Sequence, residues 1–255
     1  MSPALVLTST SRAQDAGYLA LRDVAAVAAA VKAPYRIIGG QMVSLLVGVY
    51  GVTGPPARAT LDADFGTTFD VIANPALMAR LTEGGYAQTG TANRFERNHD
   101  GLTLAIDVLA PSYTGRLETN QRHGELVVDE VPGLAYALSR SAVEIELELR
   151  LTDEAPLRTT IAVPGPVAGL SLKALAYRSR YARSDAVDLW RLLEVAYAAG
   201  IRAADWPHTT TPMEAARCLH RFFNATPARL PDISPDAHVQ TRIRALVAAV
   251  VGSPR

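Results

Sequence analysis

The sequence predicts an α+β protein in which a mixed sheet interleaved with helices is followed by a helical C-terminal part. Three observations predict it. Short apolar segments of strand character recur between residues 35 and 163, helical segments lie between them, and after PGPVAG (164–169) only helical periodicity remains. The boundary therefore falls at residue 165, with an α/β core over 1–165 and a helical domain over 166–255. A chain of 255 residues that is 49% apolar is long enough to bury a real core.

Each element follows from its local pattern. Residues 20–32 (ALRDVAAVAAAVK) have apolar helical character, and YRII (35–38) is a short strand running straight into Gly39 and Gly40. QMVSLLVGVYG (41–51) reads as a helix whose start abuts those glycines, and GVTGPPA is a loop. TLDADF is a strand, 74–81 a helix, and YAQTGTANRFER and LTLAIDVLA (102–110) are strands. The pattern continues through 124–130, 142–151 and 157–163. In 142–151 apolar residues alternate with Glu144, Glu146 and Glu148, as expected of a half-exposed strand whose acids are solvated. Four helical stretches follow, two with start signals: Thr211-Pro212 with Glu214 as a capping box, and Ser234-Pro235.

Composition narrows the function classes. The apolar runs at 24–31 and 245–251 are too short to cross a bilayer, so no membrane association is expected. The first residues lack a basic segment followed by an apolar one, so no export signal is expected. Cys218 is the single cysteine, which excludes an internal disulfide and a cysteine-based zinc site, and a reducing cytoplasmic location is the default. The five histidines show no ligand spacing. Net charge is zero but unevenly placed, with 13 basic against 18 acidic residues over 1–170 and 12 against 7 over 171–255. A basic C-terminal third suits a phosphate-bearing partner. Only Lys32 and Lys173 occur beside 23 arginines.

The chemistry-bearing residues gather in the first part. Asp62 and Asp64 stand at i and i+2 of a strand and so share a face, where two like charges repel unless a cation sits between them. Asp107 is embedded in LAIDVL, where an unpaired carboxylate is expensive to bury. Three such carboxylates could share divalent metal, since hard cations take oxygen ligands. Arg58 and Thr60 precede the pair on the same strand face and are candidates to position nucleotide or metal. Gly39 and Gly40 let backbone N–H groups and a positive helix end approach phosphates. Of Arg178, Arg180 and Arg183, only one or two can face one site on a helix.

In this order, IIGGQMVSLL, RATLDADF and IDVL resemble the core of the DNA polymerase β superfamily of nucleotidyltransferases. KALAYRSRYARSDAVDLWRLL (173–193) is similar to the lysine- and aspartate-bearing segment of the AbiEii/AbiGii-type toxin nucleotidyltransferases, which include the MenT-like toxins. The resemblance covers about 37–193. It implies a polymerase β-like fold and transfer of NMP from an NTP, with two Mg²⁺ ions held by Asp62, Asp64 and Asp107. Asp107 would also help activate the acceptor hydroxyl. Gly39, Gly40, Gln41, Ser44, Arg58, Thr60 and Arg178 would bind the nucleotide, Lys173 would contact the triphosphate, and Asp185 would be the acidic partner of that segment. The acceptor implied is the 3′ end of tRNA, with a cognate antitoxin protein as partner. A protein or small-molecule acceptor, or a nucleotide-binding module that no longer transfers, are the alternatives. The chain departs from the family pattern in the 21 residues between Gly40 and Asp62 and in Ser184, where a basic residue is usual.

Overall fold

A computed structural model describes residues 2–56, 60–90, 93–152, 156–225 and 229–253. The protein is α+β, with mixed sheets and a helical C-terminal part. It forms two compact units: one comprises Met1–Met42 and Arg58–Pro164, the other Val43–Ala57 and Gly165–Arg255. Among the described residues no helix is long and apolar enough to cross a membrane.

The first unit runs β1 (Ala4–Thr8), α1 (Arg12–Val31), β2 (Tyr35–Ile37), the start of α2 (Gly39–Val49), β3 (Asp62–Thr67), α3 (Phe69–Ile72) and α4 (Pro75–Glu83). It continues with β4 (Ala87–Gln88), β5 (Arg94–His99), β6 (Leu102–Ser112), β7 (Glu118–His123), β8 (Leu126–Pro132), α5 (Leu134–Ser139), β9 (Ala142–Arg150) and β10 (Leu157–Pro164). Seven strands make one sheet in the order β2-β3-β6-β5-β4, with β8 pairing the far end of β6 and β7 pairing β8. β3 and β6 are parallel, and β5 is antiparallel to β6. The 11-residue β6 is thus the backbone of the sheet, flanked on one side by β3 and on the other by β5 and then β8.

A second sheet, β1-β9-β10, has β9 at its centre. The alternation in β9 places Ile145, Leu147 and Leu149 in the core and leaves Glu144 and Glu146 exposed and Glu148 half-buried, as its period of two requires. α1 packs on β3, β6 and β10. It opens with Ser11, whose hydroxyl accepts from the Gln14 N–H, and it buries Leu19, Leu21, Val24 and Val27. Four elements, β1, β7, α5 and the four-residue α3, are absent from the sequence reading. β1 sits in the terminal segment, and its partner β9 lies some 140 residues on. β7 (ETNQRH) is polar throughout, and α5 is a six-residue turn of helix too short to show a period.

In the second unit the 43–49 part of α2 joins α6 (Pro166–Arg180), α7 (Arg183–Ala198), α8 (Thr210–Leu219), a π-helical turn (His220–Asn224) and α9 (Ala237–Val250). Pro166 at the first position of α6 follows Gly165, a favoured start because proline lacks the N–H that would go unused there. Both expected caps move. α8 begins at Thr210 after Thr209, so Pro212 falls inside the first turn. α9 is capped by Asp236, which accepts from the His238 N–H at 2.7 Å, while Ser234 accepts from the Asp236 N–H. Aspartate and serine are equally good caps, so the start is set by which of the two the chain places at the last non-helical residue.

Candidate active site

The parallel register of β3 and β6 sets Asp64 directly beside Asp107, and Asp62 beside Ala105. On the other edge of β6, Arg94 of β5 is opposite Asp107 and Glu96 is opposite Ala105. Two adjacent rungs therefore read Asp62–Ala105–Glu96 and Asp64–Asp107–Arg94 across three strands. In-register neighbours share a face and stand about 5 Å apart. One face of the sheet carries four carboxylates and a single guanidinium within two rungs.

Arg94 occupies the middle of this group. Its Nε donates to Glu96 Oε1 at 2.8 Å, and its Nη1 lies 3.3 Å from Asp107 Oδ2 and 3.5 Å from Asp62 Oδ2. Burial works against the Arg94 charge, but Asp107, Glu96 and Asp62 together hold its pKa above the ordinary arginine value. Asp107 is the more perturbed group. Its side chain is 13% exposed, its Oδ1 is buried with no hydrogen-bond partner, and desolvation, opposed by Arg94 and reinforced by Asp62, Asp129 and Glu96, pushes its pKa up to about 6.

This shift has a stability consequence. A carboxyl that binds its proton more tightly folded than unfolded favours the folded state at low pH, and that contribution is lost as pH rises between the ordinary 3.8 and about 6. In metal-free buffer the stability of Asp107→Asn relative to wild type should therefore climb across that window and then level off. Urea unfolding at a series of pH values measures it, and a difference independent of pH would contradict the shift.

The glycine turn closes on the same carboxylates. β2 ends at Ile37, the Ile38 N–H donates to the Asp64 carbonyl at 3.0 Å, and α2 begins at once. Gly39 has φ +66°, and a β-carbon there would lie 1.6 Å from Asp64 Oδ2. At Gly40 a β-carbon would lie 2.3 Å from Thr60 Oγ1, which is itself buried without a partner. Gln41 Nε2 donates to the Thr60 carbonyl at 2.9 Å and ties the helix start to the segment just before β3, which begins at Asp62 and leaves Thr60 outside the expected strand. Bare backbone at both positions brings the N-terminal end of α2, with its positive dipole, against the acidic face. Gly39→Ala should cost more than about 1 kcal/mol, because the residue must both hold a left-handed φ and displace a carboxylate. A thermal-unfolding midpoint equal to that of wild type would refute this contact.

The remaining predicted residues are placed as follows. Arg58 lies outside the described residues. Ser44, Lys173, Arg178 and Asp185 belong to the second unit. There the Lys173 side chain is 6% exposed, and its Nζ sits 2.8 Å from Asp188 Oδ2 and 3.2 Å from Asp185 Oδ1. Arg180 Nη2 donates to Asp185 Oδ1 at 2.9 Å, and Arg191 reaches Asp188 Oδ1 at 3.4 Å and Ser44 Oγ at 3.2 Å. Burial raises the Asp185 pKa, but the Arg180 and Lys173 cations outweigh it and hold the carboxyl below its usual range. Arg178 pairs with Glu214 at 3.4 Å.

No family model matches the chain, and no curated protein matches it at a significant level. The geometry of the chain itself therefore carries the reading. Among the described residues no three His, Cys, Asp or Glu side chains are already gathered to hold a metal ion. The donor chemistry of the acidic face nevertheless suits a hard divalent cation. Its side-chain donors are carboxylate oxygens, carboxylates outnumber guanidinium, and Asp107 Oδ1 is orphaned. The sequence reading missed Arg94 and Glu96. The signal was their i, i+2 spacing in ANRFER, which gives them a common face but not the register that sets that face beside Asp62 and Asp107.

Proposed function

We propose that the protein is a nucleotidyltransferase of the AbiEii/AbiGii toxin type, which transfers NMP from an NTP to an acceptor hydroxyl at the 3′ end of tRNA. The observation that carries this reading is the pairing of Asp64 with Asp107 on parallel strands, with Asp62 on the same face and the Gly39-Gly40 helix start pressed against Asp64. Asp62, Asp64 and Asp107 would hold Mg²⁺, which when bound neutralises triphosphate charge and eases ionisation of the attacking hydroxyl. The backbone N–H groups at Gly39, Gly40 and Gln41 bind phosphate oxygens. The acceptor oxygen attacks the α-phosphorus, the bond to the bridging oxygen of the β-phosphate breaks, and pyrophosphate leaves. Asp107 would also help activate the acceptor hydroxyl. The basic C-terminal third supports an RNA acceptor by its attraction for phosphates. A cytoplasmic site of action and control by a cognate antitoxin protein belong to the same reading.

The test is incubation of the pure protein with Mg²⁺, each of the four α-³²P-labelled NTPs in turn and total bacterial RNA, with Asp62→Ala run in parallel. Label on tRNA-sized RNA from the wild type alone supports the reading and names the nucleotide. Label on the protein itself replaces the RNA acceptor with a protein one. No label on either overturns transfer to a macromolecule.

A further inference from the structure

Arg94 grips the acidic face unevenly. Its Nε contact with Glu96, at 2.8 Å, is a short charge-assisted hydrogen bond, whereas Nη1 stands 3.3 and 3.5 Å from Asp107 and Asp62, beyond the usual range for such bonds. The guanidinium can therefore let go of the two aspartates while Nε stays on Glu96. The side chain is 32% exposed, so it has room to turn outward. It is shared among Asp62, Asp107 and Glu96, and Asp107 Oδ1 stays without a hydrogen-bond partner.

We infer that Arg94 is a resident counter-ion of the acidic face, holding Asp62 and Asp107 until a divalent cation displaces its Nη1 from them. This rests on the proposed metal role of those aspartates. Displacement is favoured on charge grounds, since a divalent ion brings twice the charge of the guanidinium and can accept oxygen donors on several sides. Arg94 thereby sets the affinity: the ion must compete with a cation tethered beside the site by Glu96. The free protein avoids unscreened repulsion between Asp62 and Asp107, and it binds metal more weakly as a result.

The test is titration of the full chain with Mn²⁺ alone, followed by electron paramagnetic resonance of the free ion, for wild type, Arg94→Met and Arg94→Lys. Arg94→Met, which keeps the stem and loses the charge, should bind Mn²⁺ at least about tenfold more tightly than wild type. Arg94→Lys, whose ammonium cannot bridge two carboxylates from Glu96, should fall between them. If Arg94→Met does not fold without metal, Arg94→Lys decides by the same comparison. Equal or weaker binding in the variants overturns the counter-ion role and leaves the metal assignment standing. Absence of Mn²⁺ binding in all three chains overturns the metal assignment and the counter-ion role together.

Discussion

Asp62→Ala and Asp64→Ala should each lower nucleotide transfer at least about a thousandfold, because each removes an anionic oxygen pair from the ion-holding face and no neighbour on its rung can replace it. Ala105 and Glu96 complete the Asp62 rung, and Glu96 is engaged by Arg94. The fold should persist. Asp62 is 31% exposed and lies in a group where carboxylates outnumber cations, so its loss relieves repulsion in the metal-free protein. Circular dichroism and thermal unfolding should therefore be near wild type while label transfer disappears. Turnover at the wild-type rate in either variant would remove these aspartates from the reaction.

Lys173→Met should unfold the second unit more easily by about 3–5 kcal/mol, the range for removing one partner of a buried ion pair. Asp188, fully buried, would keep Arg191 at 3.4 Å, and Asp185 would keep Arg180. Urea denaturation measures the loss. A Lys173→Met/Asp188→Leu double variant should not recover it, since buried Arg191 would then lose the Asp188 carboxylate. The pairing also changes how activity data are read. Loss of transfer in Lys173→Ala speaks to phosphate contact only if the folded population at assay temperature is unchanged.

Much of the architecture was legible because it is written in local periods. The Glu144–Leu149 alternation, the shared face of Asp62 and Asp64, and the change to helices after residue 164 all depend on neighbours in the chain. The face that Asp62 and Asp64 share was readable, but the cation beside them was not. Arg94 reaches Asp62 and Asp107 only through the strand order β3-β6-β5 and a register fixed by the whole sheet. The same holds in the helical part, where Lys173 was noticed for its rarity. Its partners Asp185 and Asp188 lie on the next helix and meet it through packing that no spacing rule encodes. The caps at 209 and 236 were each missed by two residues because several serines, threonines and aspartates compete at each start.

The interruption of the second unit has a consequence for biosynthesis. Val43–Ala57 is made early, yet the rest of the unit it belongs to begins only at Gly165. At ordinary elongation rates of about 5–20 residues per second, roughly 5 to 20 s pass on the ribosome before the last of the intervening chain has emerged. During that interval Val43, Leu45 and Leu46, all buried in the finished protein, await cover. A nascent chain in this state presents a greasy half-helix to the cell, and a gene fragment ending near residue 164 would make that state permanent. Such a fragment is expected to require chaperone capture or to accumulate in inclusion bodies, even though it contains every strand of both sheets.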